Sequence, residues 1–371
     1  MRRWTAALVL LFALLVPAAG RGQEVATSAK ACVVMDMTTG RILLAHNADA
    51  PLPMASTTKI MTALLALEQS SLDDTVVCGR KAFGVPGTSI YLSMGESLSM
   101  ADMLRGLLLA SGNDAAVAIA EHVGGSMEDF CRMMTDRAAA LGCRDTVFLT
   151  PHGLPCEGHH TTAADLALIA RAAMAHPFFR ETVSTRRATI PWQGREYDRV
   201  LVNKNRLLAD YEGALGVKTG YTRAAGRCLV SAAEREGMAI LCVVLNCADW
   251  FDESARLMDL AFARWDAQTL LHAGEVLRHV PVEGGGAASV PAVLADSLTG
   301  LVPSGALPHV EIDLPEVIPA PVQAGDVLGE VRMLCGGETA AAVQLVAGSD
   351  AGRDNLPARI RRLWTLWQAA P

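Results

Sequence analysis

The alternation of apolar and polar residues divides the chain into a mixed first part and a β-rich second part. Residues 31–36 and 41–44 are short apolar runs joined by a turn ending in glycine, which predicts a β-hairpin. Strand-like runs return at residues 227–232 and 238–245. Apolar residues recur at the spacing of a buried helix face in residues 60–67, 98–123, 127–141, 162–175 and 253–267. This order predicts an α/β domain in which the first hairpin pairs with the late strands.

The second part is rich in glycine, proline and valine. Short alternating runs at residues 327–334 and 340–346 predict strands, and the long helical patterns of the first part do not continue here. We therefore place the first domain at residues 25–270 and a small all-β domain at residues 271–350. Residues 351–371 remain as a C-terminal tail.

The tail has the pattern of a short amphipathic helix. One stripe of the helical wheel carries its large apolar residues, which are Leu356, Ile360, Leu363, Trp364 and Trp367. The arginines of the tail fall elsewhere on the wheel, and arginine with tryptophan on such a helix suits a membrane surface. The alternative is a helix that docks on the β-rich domain.

The start of the chain has the three parts of a secretory signal. Arg2 and Arg3 precede an apolar run at residues 6–16, and small residues follow at 17–20. The apolar run is short for a bilayer span. Residues 1–24 are therefore predicted to be a signal peptide and the protein to be exported, although an uncleaved N-terminal anchor is the alternative.

Composition limits the classes of function. The chain has 371 residues, of which 51% are hydrophobic and 19% charged, so it is globular and long enough for two domains. Its net charge is -7 with a pI near 5.7, whereas a nucleic-acid-binding protein would carry an excess of lysine and arginine on one face. We expect no nucleic-acid partner.

The cysteines and histidines do not form the pattern of a metal site. Nine cysteines could pair in an oxidising compartment, with at least one left over, but no Cys-x-x-Cys spacing occurs. Four of them lie in apolar, strand-like runs and are predicted to be small core residues: Cys32, Cys228, Cys242 and Cys247. His152, His159 and His160 lie close together without a carboxylate or cysteine pattern that would complete a catalytic zinc site. We interpret the three histidines as loop and cap residues. We expect no metal and no cofactor, and the disulfide pairing stays open.

Ser56 and Lys59 are a candidate nucleophile and base. Residues three apart on a helix are neighbours, so the Lys59 amine can reach the Ser56 hydroxyl at the start of the predicted helix. A serine hydroxyl keeps its proton at neutral pH unless an adjacent base removes it. Lysine can do so when burial, the helix dipole or a second cation lowers its pKa. Alone, Ser-x-x-Lys is expected about once by chance in a chain of this length.

Two further motifs follow in a fixed order. Ser56-x-x-Lys59 is followed by Ser111-Gly112-Asn113, which should break a helix, and then by Lys218-Thr219-Gly220 at the start of the late strands. The ordered triple resembles the serine penicillin-recognising enzymes, and within them the low-molecular-weight penicillin-binding proteins that are serine-type D-alanyl-D-alanine carboxypeptidases. The resemblance is strongest in residues 53–59, 110–115, 151–154 and 216–222.

The resemblance implies a fold and a reaction. The fold would be a β-lactamase/transpeptidase-like α/β domain, with an antiparallel sheet and a helical subdomain, followed by the all-β domain. Ser56 would attack the carbonyl between the last two D-alanines of a peptidoglycan stem pentapeptide, with Lys59 as its base. Ser111 and Asn113 would relay the proton to the leaving amine and hold the peptide. Water would then hydrolyse the acyl-enzyme, and β-lactams would act as covalent inhibitors.

The same resemblance assigns roles to the third motif. Lys218 and Thr219 would bind the terminal carboxylate of the substrate, and the lysine charge would help to keep Lys59 deprotonated. The backbone N–H groups of Ser56 and Tyr221 would stabilise the oxyanion. Gly220 would let the substrate lie along the strand edge as an extra strand.

Three other activities share this core. A class A β-lactamase would carry Asp at the position of Gly112 and a Glu-x-x-Leu-Asn loop, and the sequence has neither. A DD-endopeptidase uses the same motifs, and a wall sensor or scaffold would acylate with little turnover. The resemblance implies an enzyme at the extracytoplasmic face of the bacterial cell membrane, and it leaves open a vegetative or a sporulation role.

Overall fold

The computed structural model describes residues 22–354 of the 371-residue chain. The predicted signal segment through residue 21 and the predicted tail helix beyond residue 354 lie outside the described residues. Within residues 22–354, no helix is both long enough and apolar enough to cross a bilayer.

The first part of the chain mixes strands and helices. Its elements are, in chain order, β1 (Gln23–Glu24), β2 (Ala31–Asp36), β3 (Ile42–His46), α1 (Lys59–Gln69), β4 (Thr75–Val77), β5 (Ser97–Ser99), α2 (Met100–Leu108), α3 (Asn113–Gly124), α4 (Met127–Ala140), α5 (Ala163–Met174), α6 (Pro177–Ser184), β6 (Arg187–Ile190), β7 (Arg199–Val202), α7 (Leu207–Asp210), β8 (Ala214–Thr222), β9 (Gly226–Arg235), β10 (Met238–Leu245) and α8 (Trp250–Arg264).

The central sheet joins the two ends of this part. Its strand order is β1-β3-β2-β10-β9-β8, and β2 pairs antiparallel with β10, which places Val34 opposite Cys242. The prediction that the first hairpin pairs with the late strands is confirmed. All six residues of β2 are buried because α5 packs near one face of the sheet and α8 near the other.

A helical subdomain surrounds the first long helix. Helix α1 packs against α2, α3, α4 and α5, and its residues 59–66 are all buried. The break predicted in residues 98–123 is present, since α2 ends at Leu108 and α3 begins at Asn113. Ser111 in this break has a φ of 63° and is buried, so the turn holds a backbone conformation that a non-glycine residue rarely adopts.

The second part of the chain is all-β, as predicted. Its strands are β11 (Trp265–Leu271), β12 (Val276–Glu283), β13 (Ser289–Leu294), β14 (Leu298–Pro303), β15 (His309–Asp313), β16 (Ile318–Pro319), β17 (Val327–Cys335) and β18 (Glu338–Ala347). The main sheet of this part has the order β15-β17-β18-β13-β12-β16. Two clusters of buried apolar side chains, one around Val290 and one around Val331, form its core.

The end of α8 differs from the prediction. The helical pattern was expected to continue to residue 267, but α8 ends at Arg264 and Trp265 begins β11. Trp265 is 3% exposed and pairs with Pro303 of β14. A buried apolar residue fits a helix or a strand equally well, so the local pattern cannot tell where the helix ends. The boundary is set by the pairing of β11 with the distant strand β14.

Candidate active site

The nucleophile candidate lies in the turn that leads into α1. Residues Ala55–Thr58 form one 3₁₀ turn, and Lys59 is the first residue of α1, so the predicted helix start is confirmed. The Thr57 hydroxyl donates to the carbonyl of Met54 and the Thr58 hydroxyl donates to the carbonyl of Ala55, at 2.6 and 2.8 Å. These bonds fix the turn from inside, while Ser56 is half-buried and Lys59 is fully buried.

The Lys59 amine has three hydrogen-bond partners. Its Nζ lies 3.0 Å from Ser56 Oγ, 2.7 Å from Asn113 Oδ1 and 2.8 Å from the backbone oxygen of His152. The last two partners only accept, and the Asn113 amide is oriented by its Nδ2, which donates to the carbonyl of Pro86. A neutral amine has two hydrogens and one lone pair. With both hydrogens on these oxygens, the lone pair faces the Ser56 hydroxyl.

Burial and neighbouring charge favour this neutral amine. The pKa of Lys59 is well below its ordinary value, chiefly because burial penalises the charged form, and then because Lys218 and Lys204 are positive. Burial, followed by the charge of Lys204, also lowers the pKa of Lys218 to about 7. The Lys218 amine donates to the carbonyl of Thr219 at 3.0 Å. The site therefore has the electrostatics that a lysine base requires.

Strand β8 forms the opposite wall. Among the described strands it is the last of the central sheet, and its free edge faces the Ser56 turn. Lys218 and Thr219 are buried there, whereas Tyr221 is 62% exposed. A β-carbon on Gly220 would lie 2.9 Å from the backbone nitrogen of Ser56, so strand and turn come as close as a glycine permits.

The second motif contributes a third wall. Asn113 contacts Lys59 directly, and Ser111 is buried in the turn between α2 and α3. In the described part of the chain, no hydrogen bond joins the Ser111 hydroxyl to Ser56 or Lys59. The Ser111 carbonyl accepts from the Thr88 hydroxyl at 2.6 Å, which ties the turn to the loop that also carries Pro86.

Two contributors to the site were missed by sequence reasoning. The His152 backbone oxygen holds the Lys59 amine, but a carbonyl is common to every residue and has no sequence signal. The histidine ring itself was interpreted as a loop residue; burial, then the charge of Lys59, lowers its pKa to about 4. Lys204 follows β7 and acts through charge, and a lysine between two asparagines carries no recognisable pattern.

The cysteines and histidines do not assemble a metal site in residues 22–354. No group of three or more His, Cys, Asp or Glu side chains there could hold a metal ion. All nine cysteines lie within the described residues and none forms a disulfide. Cys32, Cys228, Cys242 and Cys247 are buried, in agreement with their interpretation as small core residues.

Comparison with known proteins adds independent findings. Residues 18–249 match a family model described as D-alanyl-D-alanine carboxypeptidase, and residues 265–353 match a model of the C-terminal domain of penicillin-binding protein 5. The chain is 31% identical to the D-alanyl-D-alanine carboxypeptidase DacF of Bacillus subtilis over 94% of this chain and 92% of that protein. It is also 35% identical to DacB2 of Mycobacterium tuberculosis over 63% of this chain and 82% of that protein. The crystal structure of penicillin-binding protein 5 from Haemophilus influenzae matches with a TM-score of 0.75 at 29% identity, covering 89% and 99% of the two chains.

Proposed function

Because the chain belongs to the D-alanyl-D-alanine carboxypeptidase family of low-molecular-weight penicillin-binding proteins, we propose that Ser56 is its nucleophile and Lys59 its general base. The protein is a serine-type peptidase, a hydrolase that removes the terminal D-alanine from peptidoglycan stem peptides. The roles of individual residues, the membrane association and the location are our proposal.

Acylation begins at the Ser56 hydroxyl. Its oxygen attacks the carbonyl carbon of the penultimate D-alanine while its proton passes to the Lys59 lone pair, 3.0 Å away. Once protonated, Lys59 donates to Ser56, Asn113 and the His152 carbonyl, so each N–H already has an acceptor. The charge on the attacked oxygen is met by the backbone N–H groups of Ser56 and Tyr221, and one such donor is worth about 3 to 4 kcal/mol.

The leaving group completes the first half of the reaction. The C–N bond of the terminal D-alanine breaks, and its nitrogen takes a proton that Lys59 supplies through Ser111. Lys218 and Thr219 hold the terminal carboxylate, and Asn113 holds the peptide amide. Water then attacks the Ser56 ester, gives its proton to Lys59, and the Ser56 oxygen leaves as a hydroxyl. The free enzyme is restored with one D-alanine and one shortened peptide released.

One observation carries this proposal above the others. The Lys59 amine is buried, held by two obligate acceptors and directed at the Ser56 hydroxyl, next to a second buried lysine. A solvated lysine beside a helix-capping serine would show none of these features. The arrangement is costly unless the amine is neutral, and a neutral amine is what proton removal from serine requires.

The test uses a fluorescent penicillin and a D-Ala-D-Ala pentapeptide. The wild-type protein is expected to form an adduct, located by mass spectrometry on Ser56, and to release D-alanine. Ser56→Ala should lose both activities, while the exposed Ser93→Ala serves as the matched control. Labelling that persists in Ser56→Ala would place the nucleophile elsewhere. Acylation without released D-alanine would favour the sensor, and cleavage of cross-linked dimers alone would favour the endopeptidase.

We also propose that the protein is exported and held at the outer face of the bacterial cell membrane by its tail. The signal-like residues 1–24 and the apolar stripe within residues 356–367 support this. A protein truncated after Asp354 should leave the membrane fraction and still hydrolyse the pentapeptide. The paired change Trp364→Ala and Trp367→Ala should act in the same direction. A truncated protein that still sediments with membranes would refute the anchor.

A further inference from the structure

His159 is a buried polar residue that the proposed reaction does not use. It is 6% exposed and lies in a short segment held on both sides by backbone bridges. Val147 pairs with His160, and Leu52, just before the nucleophile turn, pairs with Thr161. His159 therefore sits between the approach to Ser56 and the segment that leads to His152.

The two ring nitrogens of His159 have different partners. The backbone N–H of Leu149 donates to Nδ1 at 3.0 Å, so Nδ1 has no hydrogen of its own. A neutral ring then carries its hydrogen on Nε2, which lies 2.9 Å from the Thr58 hydroxyl oxygen. Burial, and then the charge of His160, lowers the pKa of His159 to about 4, consistent with a neutral ring. The ring accepts from one segment and donates to the other.

Thr58 passes this contact on to the residue before the nucleophile. Its hydroxyl receives the His159 hydrogen and donates its own to the carbonyl of Ala55 at 2.8 Å. Ala55 has a φ of 49°, a conformation that alanine holds only when its surroundings impose it. The α-carbon of Gly153 also packs here, since a β-carbon on it would lie 1.8 Å from the Ala55 oxygen.

We propose that His159 is a positioning residue that links the Ser56 turn to the loop carrying the His152 carbonyl, and so sets the Ser56 hydroxyl against the Lys59 amine. One end of the ring holds Thr58 and, through it, the backbone of Ala55. The other end holds Leu149, where the chain enters the loop whose His152 oxygen accepts from Lys59. This inference rests on the proposed roles of Ser56 and Lys59.

The test compares two replacements at this position in the full chain. His159→Phe keeps the ring shape and removes both contacts, whereas His159→Gln can still donate an N–H toward Thr58. With a fluorescent penicillin, we expect the Phe variant to lose at least tenfold in the maximal acylation rate, with the concentration for half-maximal rate unchanged within twofold. The Gln variant should recover most of the rate. His160→Phe, on the same segment but paired with Asp145, is the control and should acylate normally.

A second comparison separates positioning from a general loss of stability. Thr58→Val should slow acylation, and adding His159→Phe to it should slow acylation little further, because a link that is already broken at Thr58 transmits nothing more when its Leu149 end is also lost. Three outcomes would overturn the inference. The rate losses of Thr58→Val and His159→Phe could multiply in the double variant, or the Phe variant could acylate like the wild type. The Gln and Phe variants could also lose rate equally, in step with their melting temperatures. If the Phe variant does not fold, Thr58→Val decides alone, since it breaks the same link. Slower acylation with an unchanged concentration for half-maximal rate supports the inference, and acylation at the wild-type rate overturns it. A wild-type adduct on a residue other than Ser56 would instead refute the proposed function itself.

Discussion

The approach of β8 to the nucleophile turn can be tested by adding a single carbon atom. Gly220→Ala places a β-carbon 2.9 Å from the nitrogen of Ser56, 3.0 Å from that of Thr57 and 3.1 Å from the oxygen of Met54. All three atoms belong to the backbone, so no side chain can rotate away. Ordinary contacts are about 3.5 Å, and the turn or the strand must therefore move by roughly half an ångström.

That movement acts on the reaction more than on the fold. A misplacement of 1 Å can cost about a hundredfold in rate, so half that distance predicts about a tenfold loss of acylation, or about 1.4 kcal/mol in the barrier. The proposed oxyanion donors, the N–H groups of Ser56 and Tyr221, lie on the two segments that move apart. Both should therefore lose their alignment with the substrate oxygen. The free energy of unfolding should change little, because replacing a strand glycine by alanine also restricts the unfolded chain.

The assay is the second-order rate constant of acylation by a fluorescent penicillin, measured with the urea unfolding curve of the same protein. Gly352→Ala is the matched control, since its added β-carbon meets no atom within 4 Å and its backbone is not in the left-handed region. Gly220→Ala that acylates within twofold of the wild type would show that the close approach is not needed for the reaction. A large loss of the acylation rate constant in Gly352→Ala would show that any added β-carbon slows the reaction. It would refute the explanation by a clash with the Ser56 turn.

Three further predictions concern charge and burial. Lys218→Met removes a cation that lowers the pKa of Lys59, so the acid limb of the acylation-rate profile should move to higher pH; an unmoved limb would contradict the electrostatic coupling. Burial lowers the pKa of His159 from 6.5 to about 4, so the unfolded chain binds the proton at a higher pH than the folded chain does. The free energy of unfolding should therefore fall by about 3 kcal/mol as the pH drops from about 6.5 to 4. In urea unfolding, the free energy of His159→Gln should lack this part of the decrease with falling pH. An identical pH dependence in the variant and the wild type would refute the prediction. Asp114→Asn replaces by a neutral amide the buried carboxylate that accepts from the N–H groups of Ile90 and Leu92, and should lower the free energy of unfolding by about 2 kcal/mol. A loss below about 0.5 kcal/mol would contradict this.

The local part of the site could be predicted from sequence because its spacing is local. Ser56 and Lys59 are neighbours on one helical turn whatever the rest of the chain does. The break at Ser111-Gly112-Asn113 also has a local cause, a glycine between polar residues in an apolar run. The pairing of the first hairpin with β10 followed from the order of the elements.

The remaining contacts could not be predicted because their partners are distant and carry no distinctive side chain. The Lys59 amine is bonded to a residue 54 positions away and to a backbone oxygen 93 positions away. Lys204 influences the site through charge alone. The sequence predicted His159 only as a loop or cap residue, and the structure shows that it is buried and that its two nitrogens face different segments of the site.

The charges of the site also suggest an order of events. The site contains two buried lysines, Lys59 and Lys218. Among the described residues that act on Lys59, Asp114 is the only acidic side chain that raises its pKa, and its effect is the smallest. The free enzyme is therefore biased toward a neutral Lys59. On the proposed mechanism the substrate carboxylate settles beside Lys218 and offsets its charge, which raises the proton affinity of Lys59 at the moment when Ser56 must give up its proton. The same substrate group that is recognised thus also strengthens the base, and a ligand without a carboxylate would leave Lys59 a weaker proton acceptor.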